Sequence, residues 1–457
     1  MERDKRHIPL LAAVCAALFF SPLMAAGVNA VLPEIGASLS ASAMQLSLVG
    51  AAYSLGLAIL QLICGSLGDI GGHRRVFLAG AVVFGVCGFL LALTSNIQVF
   101  LSLRFVQGLG AAMISAASFS LLASAAAPEK RPAYLAYINS AVYAGIACGP
   151  TLAGLIAGAF DWRWIFGLNF AASVCVYLLM KFSVDHEWRP AKDETFDYAG
   201  SALYAAAMTS FVVGATIVAR EPFAGCFALV LFVCLLIIFI LREAKCKFPI
   251  LNLKLLAGDR VLFLSVLAAF VNYASFFGLV FYFSFYLQTG KGFGVRETGF
   301  ILSVQPVFQV LCAPLAARLC KVFDNDLVAA AGVLVCAAGL VSAAFLKVSS
   351  PLWILLAAQA CLGGGISVFS LANTAIILDR AGKKNIGQAS SLTGSMRTAG
   401  QLSSMVLISF TLSLIIGEAG VSKETLDDFM TCMRVDLVVF GVLNVAAAAI
   451  AIRRVKV

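Results

Sequence analysis

The chain is poor in charge. Of its 457 residues only 12% are Asp, Glu, Lys or Arg, against roughly 25% in an average soluble domain. It has three histidines, His7, His73 and His186, each in a different polar segment, so no histidine metal cluster is legible. Thirteen cysteines contain no C-x-x-C pair and fall mostly inside apolar runs. They read as small packing residues rather than a disulfide or zinc framework. A G-x-x-x-x-G-K-[ST] loop is missing, which leaves no recognisable cradle for a nucleoside triphosphate. No nucleophile, base and acid converge in a legible pattern, so an enzyme is not expected.

Apolar sequence is abundant: 61% of the residues are hydrophobic and the mean hydropathy is +0.98. Runs long enough to cross a bilayer as helices fall near 8–32, 44–67, 76–95, 98–126, 134–158, 163–182, 198–218, 223–241, 261–288, 298–317, 327–346, 351–378, 387–416 and 432–452. The fold class is therefore all-α and polytopic, with fourteen transmembrane helices. The basic N-terminus runs into an apolar stretch that continues to Leu32, which reads as an uncleaved first span.

The loops alternate in charge. One set, with both termini, carries 23 Lys and Arg; the other carries seven: Arg163, Arg220, Lys291, Arg296, Lys347, Lys423 and Arg434. The positive-inside rule then puts both termini on the cytoplasmic face of the cytoplasmic membrane. The net charge of +9 reports those basic loops and a lipid bilayer as partner, not nucleic acid. Two longer polar connections, 183–197 and 242–260, bracket the seventh and eighth spans. The expected organisation is a six-helix bundle at 1–182, a linker with two inserted spans at 183–260, and a second six-helix bundle at 261–457.

Between the second and third spans lies GSLGDIGGHRRVF, Gly65 to Phe77. Gly65 and Gly72 permit close approach and a positive-φ turn; Asp69, Arg74 and Arg75 place charge at a membrane face. The segment resembles the loop signature of major facilitator superfamily transporters, G-x-L-a-D-r-x-G-r-k, at Gly65, Leu67, Asp69, Gly72 and Arg74. His73 stands where a basic residue is usual, and Ile70 replaces an arginine. A second copy after the tenth span has decayed to Ala317, Arg318, Leu319 and Lys321.

The fourth span carries Arg104, Gln107, Gly108, Gly110, Ala111 and Ala112, similar to the family pattern R-x-x-q-G-x-g-a-a. An arginine near a helix centre costs about 2.5–3.5 kcal/mol on insertion scales. Two readings fit Arg104: a snorkelling side chain near the outer end, or a cavity-lining charge in a proton relay with Gln107 and Gly108. In the fifth span Gly145, Gly149, Pro150 and Gly154 resemble the antiporter motif g-x-x-x-G-P-x-x-G-G, with Ala153 in place of one glycine. Taken alone they describe a close-packed, kinked helix. Asp161, Trp162, Arg163 and Trp164, followed by Asn169, match the usual start of the sixth helix, with the tryptophans suited to an interfacial belt.

Together these motifs identify the chain as similar to the fourteen-helix drug:proton antiporters of the major facilitator superfamily. That resemblance implies export of small lipophilic molecules by alternating access, driven by the proton gradient without a cofactor, from a monomer. An uptake or lipid-precursor carrier on the same fold is the alternative. It further implies a cytoplasmic gate at Gly65, Asp69, Gly72 and Arg74. One departure stands out: Met24 replaces the acid expected in the first span, though Asn29 and Pro33 match. No Asp or Glu is expected at the centre of any span, which points to neutral, zwitterionic or anionic substrates. The polar residues expected to line a central cavity are Asn29, Tyr53, Gln61, Tyr143, Asn272, Tyr273, Gln305, Gln309, Asn373, Arg397 and Gln401, with some serving as packing contacts instead. Phe276, Phe277, Phe281, Phe283 and Phe285 could stack on substrate or fill core, and Pro306 predicts a kink in the tenth span.

Overall fold

The computed structural model describes residues 2–454 apart from 126–130, 185, 190–194, 219, 247, 252, 254–255, 257, 382–385 and 418–419. Among the described residues, fourteen helices are long and apolar enough to cross a membrane. They are Ile8–Ala30, Ala43–Gly71, His73–Leu93, Ile97–Leu122, Ser140–Ala159, Arg163–Phe182, Tyr198–Ile217, Pro222–Glu243, Arg260–Gly290, Val295–Val322, Asn325–Ala344, Leu352–Ala381, Leu392–Ile415 and Leu426–Ala451. This is a multi-pass membrane protein.

Local chemistry sets several span starts. Ser42 and Gln45 close a capping box at the second span, with Gln45 N donating to Ser42 Oγ at 3.2 Å and Ser42 N to Gln45 Oε1 at 2.9 Å. Asp197 caps the seventh span through the Gly200 amide at 2.9 Å. Asp259 caps the ninth by accepting from the Val261 and Leu262 amides at 2.8 and 3.0 Å.

Three spans depart from single straight helices. The first ends at Ala30 and is followed by a separate short helix, Leu32–Leu39. The ninth breaks after Ala274, resumes as Leu279–Phe285 and ends in a π-helical turn, Tyr286–Gly290. The tenth breaks at Ser303 between Val295–Leu302 and Val304–Val322. The break lies three residues before Pro306, which lacks the amide that would bond the Leu302 carbonyl.

Because spans alternate in direction, odd-numbered ones run from the end that carries Asp69, here the hinge end, to the opposite far end. The first span packs on the fifth and sixth, and the fourth on the second and third. The twelfth packs on the tenth and eleventh, and the fourteenth on the eleventh and ninth. These two groups meet where the second span lies on the thirteenth and the fifth on the tenth. The seventh and eighth spans pair as a hairpin, and the seventh touches both the second and the thirteenth. Only 11% of the most apolar stretch of the eighth is buried, so that helix faces lipid along most of its surface.

The two tryptophans expected to suit an interfacial belt differ in burial. Trp164 is exposed, but Trp162 is buried edge-on against Phe100 and Phe166.

Candidate functional site

The fifth-span glycines bring backbone against backbone. A Cβ at Gly145 would lie 2.1 Å from the Phe19 carbonyl oxygen, and one at Gly149 would lie 2.9 Å from that of Leu23. Any larger residue would push the first and fifth spans apart. Farther along, Gly154 faces the Val295 carbonyl and Gly299 of the tenth span faces the Pro150 carbonyl, with prospective Cβ contacts of 2.7 and 2.4 Å. The Gly145–Gly154 stretch thus joins its own helix group on one side and the other group on the next.

Several polar contacts across that seam lie in the far half. Thr151 Oγ1 and Ser303 Oγ are 2.6 Å apart, and Ser47 Oγ and Ser409 Oγ are 2.8 Å apart. Ser284 Oγ and Gln288 Nε2 both donate to the Ala30 carbonyl, at 2.8 and 2.9 Å. The far end is therefore closed. A cavity of about 710 Å³ opens outside this closure, lined by Pro33, Ser40, Gln45, Arg220 and Thr289 among others. None of the residues expected to form a central cavity lines it.

Those residues divide into two sets. Tyr53 is buried, its hydroxyl 3.1 Å from Ser21 Oγ. Arg104 stacks on the Tyr53 ring at 4.5 Å and donates to Gln107 Oε1 at 2.7 Å. At 1% exposed, Arg104 reaches no water, and the snorkelling reading does not apply. Among the described residues, its Nε and Gln107 Nε2 are buried without a hydrogen-bond partner. Gln61 bonds Ser115 at 3.2 Å and receives Thr398 from across the seam at 3.4 Å. Tyr143 lies near Ser370 of the twelfth span, with Tyr273 and Arg397 close by. Asn29, Gln305 and Gln309 are buried, while Gln401 is half-buried.

Two of the expected cavity residues are packing contacts instead. Asn272 donates to Asn444 Oδ1 at 2.9 Å, tying the ninth span to the fourteenth. Asn373 donates to the Ser265 carbonyl at 3.0 Å, tying the twelfth to the ninth. Of the phenylalanine cluster, Phe281, Phe283 and Phe285 are buried, and Phe281 and Phe285 pack on Phe429 at 6.4 and 5.6 Å between ring centroids. They fill core.

At the hinge end, Gly72 has φ +114° with the Glu187 side chain against it. Glu187 accepts from the Arg74 amide at 2.8 Å, and the His73 amide donates to the Trp188 carbonyl at 3.1 Å. The connection after the sixth span is thereby stitched over the loop. Asp69 Oδ1 lies 2.9 Å from His73 Nε2, while Arg74 Nη2 donates to the Lys181 carbonyl at 3.0 Å. The histidine that departs from the usual pattern is the partner of Asp69. Gly65 has open space around it, whereas Gly108 packs on the Tyr53 carbonyl with a prospective Cβ contact of 2.1 Å.

The expectation of no mid-span acid is overturned by Asp436. It is 1% exposed, accepts from the Tyr282 hydroxyl, and accepts from Thr411 Oγ1 at 2.6 Å. The last helix begins at Leu426 rather than near 432, which moves Asp436 from the edge of the span to about its middle. A helix-start signal at Asp427 and Asp428 would have found it.

The family profile described as Major Facilitator Superfamily matches residues 14–405 and 265–455. The chain belongs to the Major Facilitator Superfamily. Among curated superfamily relatives, the uncharacterized transporter YebQ of Escherichia coli (strain K12) is 29% identical over 394 residues, 84% of each chain. The riboflavin transporter RibZ of Clostridioides difficile (strain 630) is 26% identical, covering 85% of this chain and 84% of RibZ. Multidrug resistance protein Stp of Mycobacterium tuberculosis (strain ATCC 25618 / H37Rv) is 26% identical, covering 87% and 74%. The POT family transporter PepTSo shares the fold at a TM-score of 0.73, with 14% identity over 98% of this chain and 97% of PepTSo. These relatives are transporters rather than enzymes, and this chain is a superfamily transporter.

Proposed function

We propose that the chain exports small lipophilic molecules across the cytoplasmic membrane in exchange for protons, with both termini in the cytoplasm. Residues 1–182 and 261–457 act as two bundles that rock about the seam, carrying the inserted hairpin with them. The hinge end is cytoplasmic in this reading, so the closed far end makes the present state inward-facing. Arg104, with Gln107 and Tyr53, supplies a buried charge beside the path, and Gly65, Asp69, Gly72 and Arg74 gate the cytoplasmic mouth. The chain works as a monomer and needs no cofactor.

The observation that carries this reading is the placement of the Gly145–Gly154 stretch. The residues that resemble the antiporter motif are those whose backbone meets the opposing group at Val295 and Gly299. The kinship with Stp, named as a multidrug resistance protein, points the same way. With Asp436 buried in a span, the premise for excluding cationic substrates is gone, and substrate charge forms no part of the proposal.

Ethidium efflux from expressing cells tests the reading. Expression should lower retained dye, and an uncoupler should restore it to the level of cells without the protein. Efflux that persists when the proton gradient is collapsed would contradict proton coupling. A second reading, an uptake or lipid-precursor carrier, draws on RibZ, named as a riboflavin transporter. Riboflavin counterflow in liposomes separates the two by showing whether that cargo is accepted and which face loads it.

A further inference from the structure

Asp436 lies ten residues after Leu426 in the helix Leu426–Arg454, about 15 Å along the axis at 1.5 Å per residue. That is roughly half the hydrocarbon thickness of a bilayer. Both carboxyl oxygens are engaged, Oδ2 by the Tyr282 hydroxyl and Oδ1 by Thr411 Oγ1 at 2.6 Å. Among the described residues, no Lys, Arg or His forms an ion pair with it. An ionisable side chain in mid-membrane with only hydroxyl partners costs stability and marks an ion or proton path.

Its surroundings hold few competitors for that role. Tyr282, on the ninth span, is fully buried. Cys432 sits one turn earlier on the same helix, its Sγ 3.8 Å from the Thr411 carbonyl, and Asp428 follows a further turn away. The thirteenth span presents Thr411. The eleventh presents Cys336 beside Asn272, near Asn444, two turns closer to the hinge end.

The connection to the seam runs through Tyr282. Two residues beyond it Ser284 donates to the Ala30 carbonyl, as does Gln288 one turn later. The helix that meets the acid is therefore the helix that closes the far end. It is separated from the rest of its span by the break at 275–278, where the Gly278 amide donates to Ser404 Oγ at 3.0 Å. A broken helix at this depth offers a joint about which the segment can move.

We propose that Asp436 is the carboxylate that takes up and releases the transported proton, with Tyr282 relaying its state to the far-end closure. This rests on the proton-coupled reading above. In the ionised state Tyr282 donates to Oδ2. On uptake, H⁺ bonds to Oδ2, the carboxyl becomes neutral, and its new O–H donates to the Tyr282 oxygen. The phenol is then acceptor instead of donor, and the charge-assisted bond that held the Leu279–Phe285 helix is lost. Release returns the same proton and restores the first arrangement, so nothing else is consumed.

Purified wild type and Asp436→Asn in proteoliposomes, with ethidium as probe, test this. Without a gradient, dye exchange by each protein sets the baseline from which its response to the gradient is read. With an imposed pH gradient, the wild type should accumulate dye and the variant should lose that drive by about tenfold or more. Gradient drive equal to wild type in Asp436→Asn overturns the proposal. A wild type that exchanges dye but ignores the gradient defeats the proton-coupled reading itself, and this proposal with it. If the variant loses exchange as well, infrared titration decides. A protonated-carboxyl C=O band that appears on acidification in the wild type and is missing from the variant supports the assignment; identical spectra overturn it.

Discussion

The hydroxyls of Thr151 and Ser303, 152 residues apart in the chain, lie 2.6 Å from each other and pin the fifth span to the tenth. Around them, Gly299 and Pro150 leave no room for a side chain. Closure of the far end therefore depends on glycine at 299. Gly299→Val should hold the far end open. In a cysteine-depleted background, Ser47→Cys is buried in the closed state, so labelling by a membrane-impermeant maleimide should rise several-fold when Gly299→Val is added. Unchanged labelling would show that the seam does not control access.

Arg104 is a buried cation whose described contacts are a glutamine and an aromatic face. Replacing such a charge by an apolar residue of similar length is often neutral or stabilising. Arg104→Met should therefore leave thermal stability in detergent unchanged or raised, while ethidium efflux falls to background. Arg104→Lys keeps the charge but loses the planar stack on Tyr53, and should retain only part of the efflux. A Met variant that unfolds on purification would assign Arg104 to the scaffold instead.

The Asp69–His73 pair at 2.9 Å ties the end of the second span to the start of the third across Gly72. Asp69→Asn should lower efflux without unfolding the protein, as checked by dye efflux beside gel filtration. Unchanged efflux rates would count against a gating role. His73 is buried and Asp69 half exposed; asparagine keeps a side-chain oxygen for the His73 ring, so a large loss of folded protein is not expected.

Asp197 anchors the hairpin. Burial pushes its carboxyl up, but the hydrogen bonds from Arg242 and the Gly200 amide outweigh that and hold it below the usual carboxylate range. A lowered folded-state value means the stabilisation is complete above the unfolded value, about 3.9, and is lost as pH falls through the folded one. Thermal unfolding from neutral pH down to about 3 should therefore show wild type losing an advantage over Asp197→Asn as pH drops. Asp197→Ala should cost about 1 kcal/mol more than Asn, because alanine also removes the helix cap. Parallel pH profiles for wild type and Asn would contradict this account.

Much of the architecture was legible because a bilayer demands about 20 apolar residues per helix. That constraint located all fourteen spans. It is less informative where polar residues sit inside a helix. Asp427, Asp428, Arg434 and Asp436 dilute the start of the last span, so the apolar run begins six residues after the helix does, and the buried acid looked peripheral. The break at Ser303 was anticipated from Pro306, but its position three residues earlier follows from which carbonyl the ring displaces. The pairs Ser47 with Ser409 and Thr151 with Ser303 carry no local signal, since each serine or threonine alone is an ordinary helix residue. Whether Asn272 or Asn373 faced a cavity or a neighbouring helix also depended on the crossing geometry. Gly145 and Gly149 were readable as a close approach, but not which carbonyls they would meet.

In the proposed cycle, two helix groups open at one end as they close at the other. Spin labels placed at exposed positions across the seam test it, with Phe160 and Phe300 at the far end and Arg75 and Val322 at the hinge end. Pulsed distance measurements in lipid, with and without an imposed pH gradient, should show one pair lengthening as the other shortens. Two pairs that stay fixed, or that widen together, would contradict it.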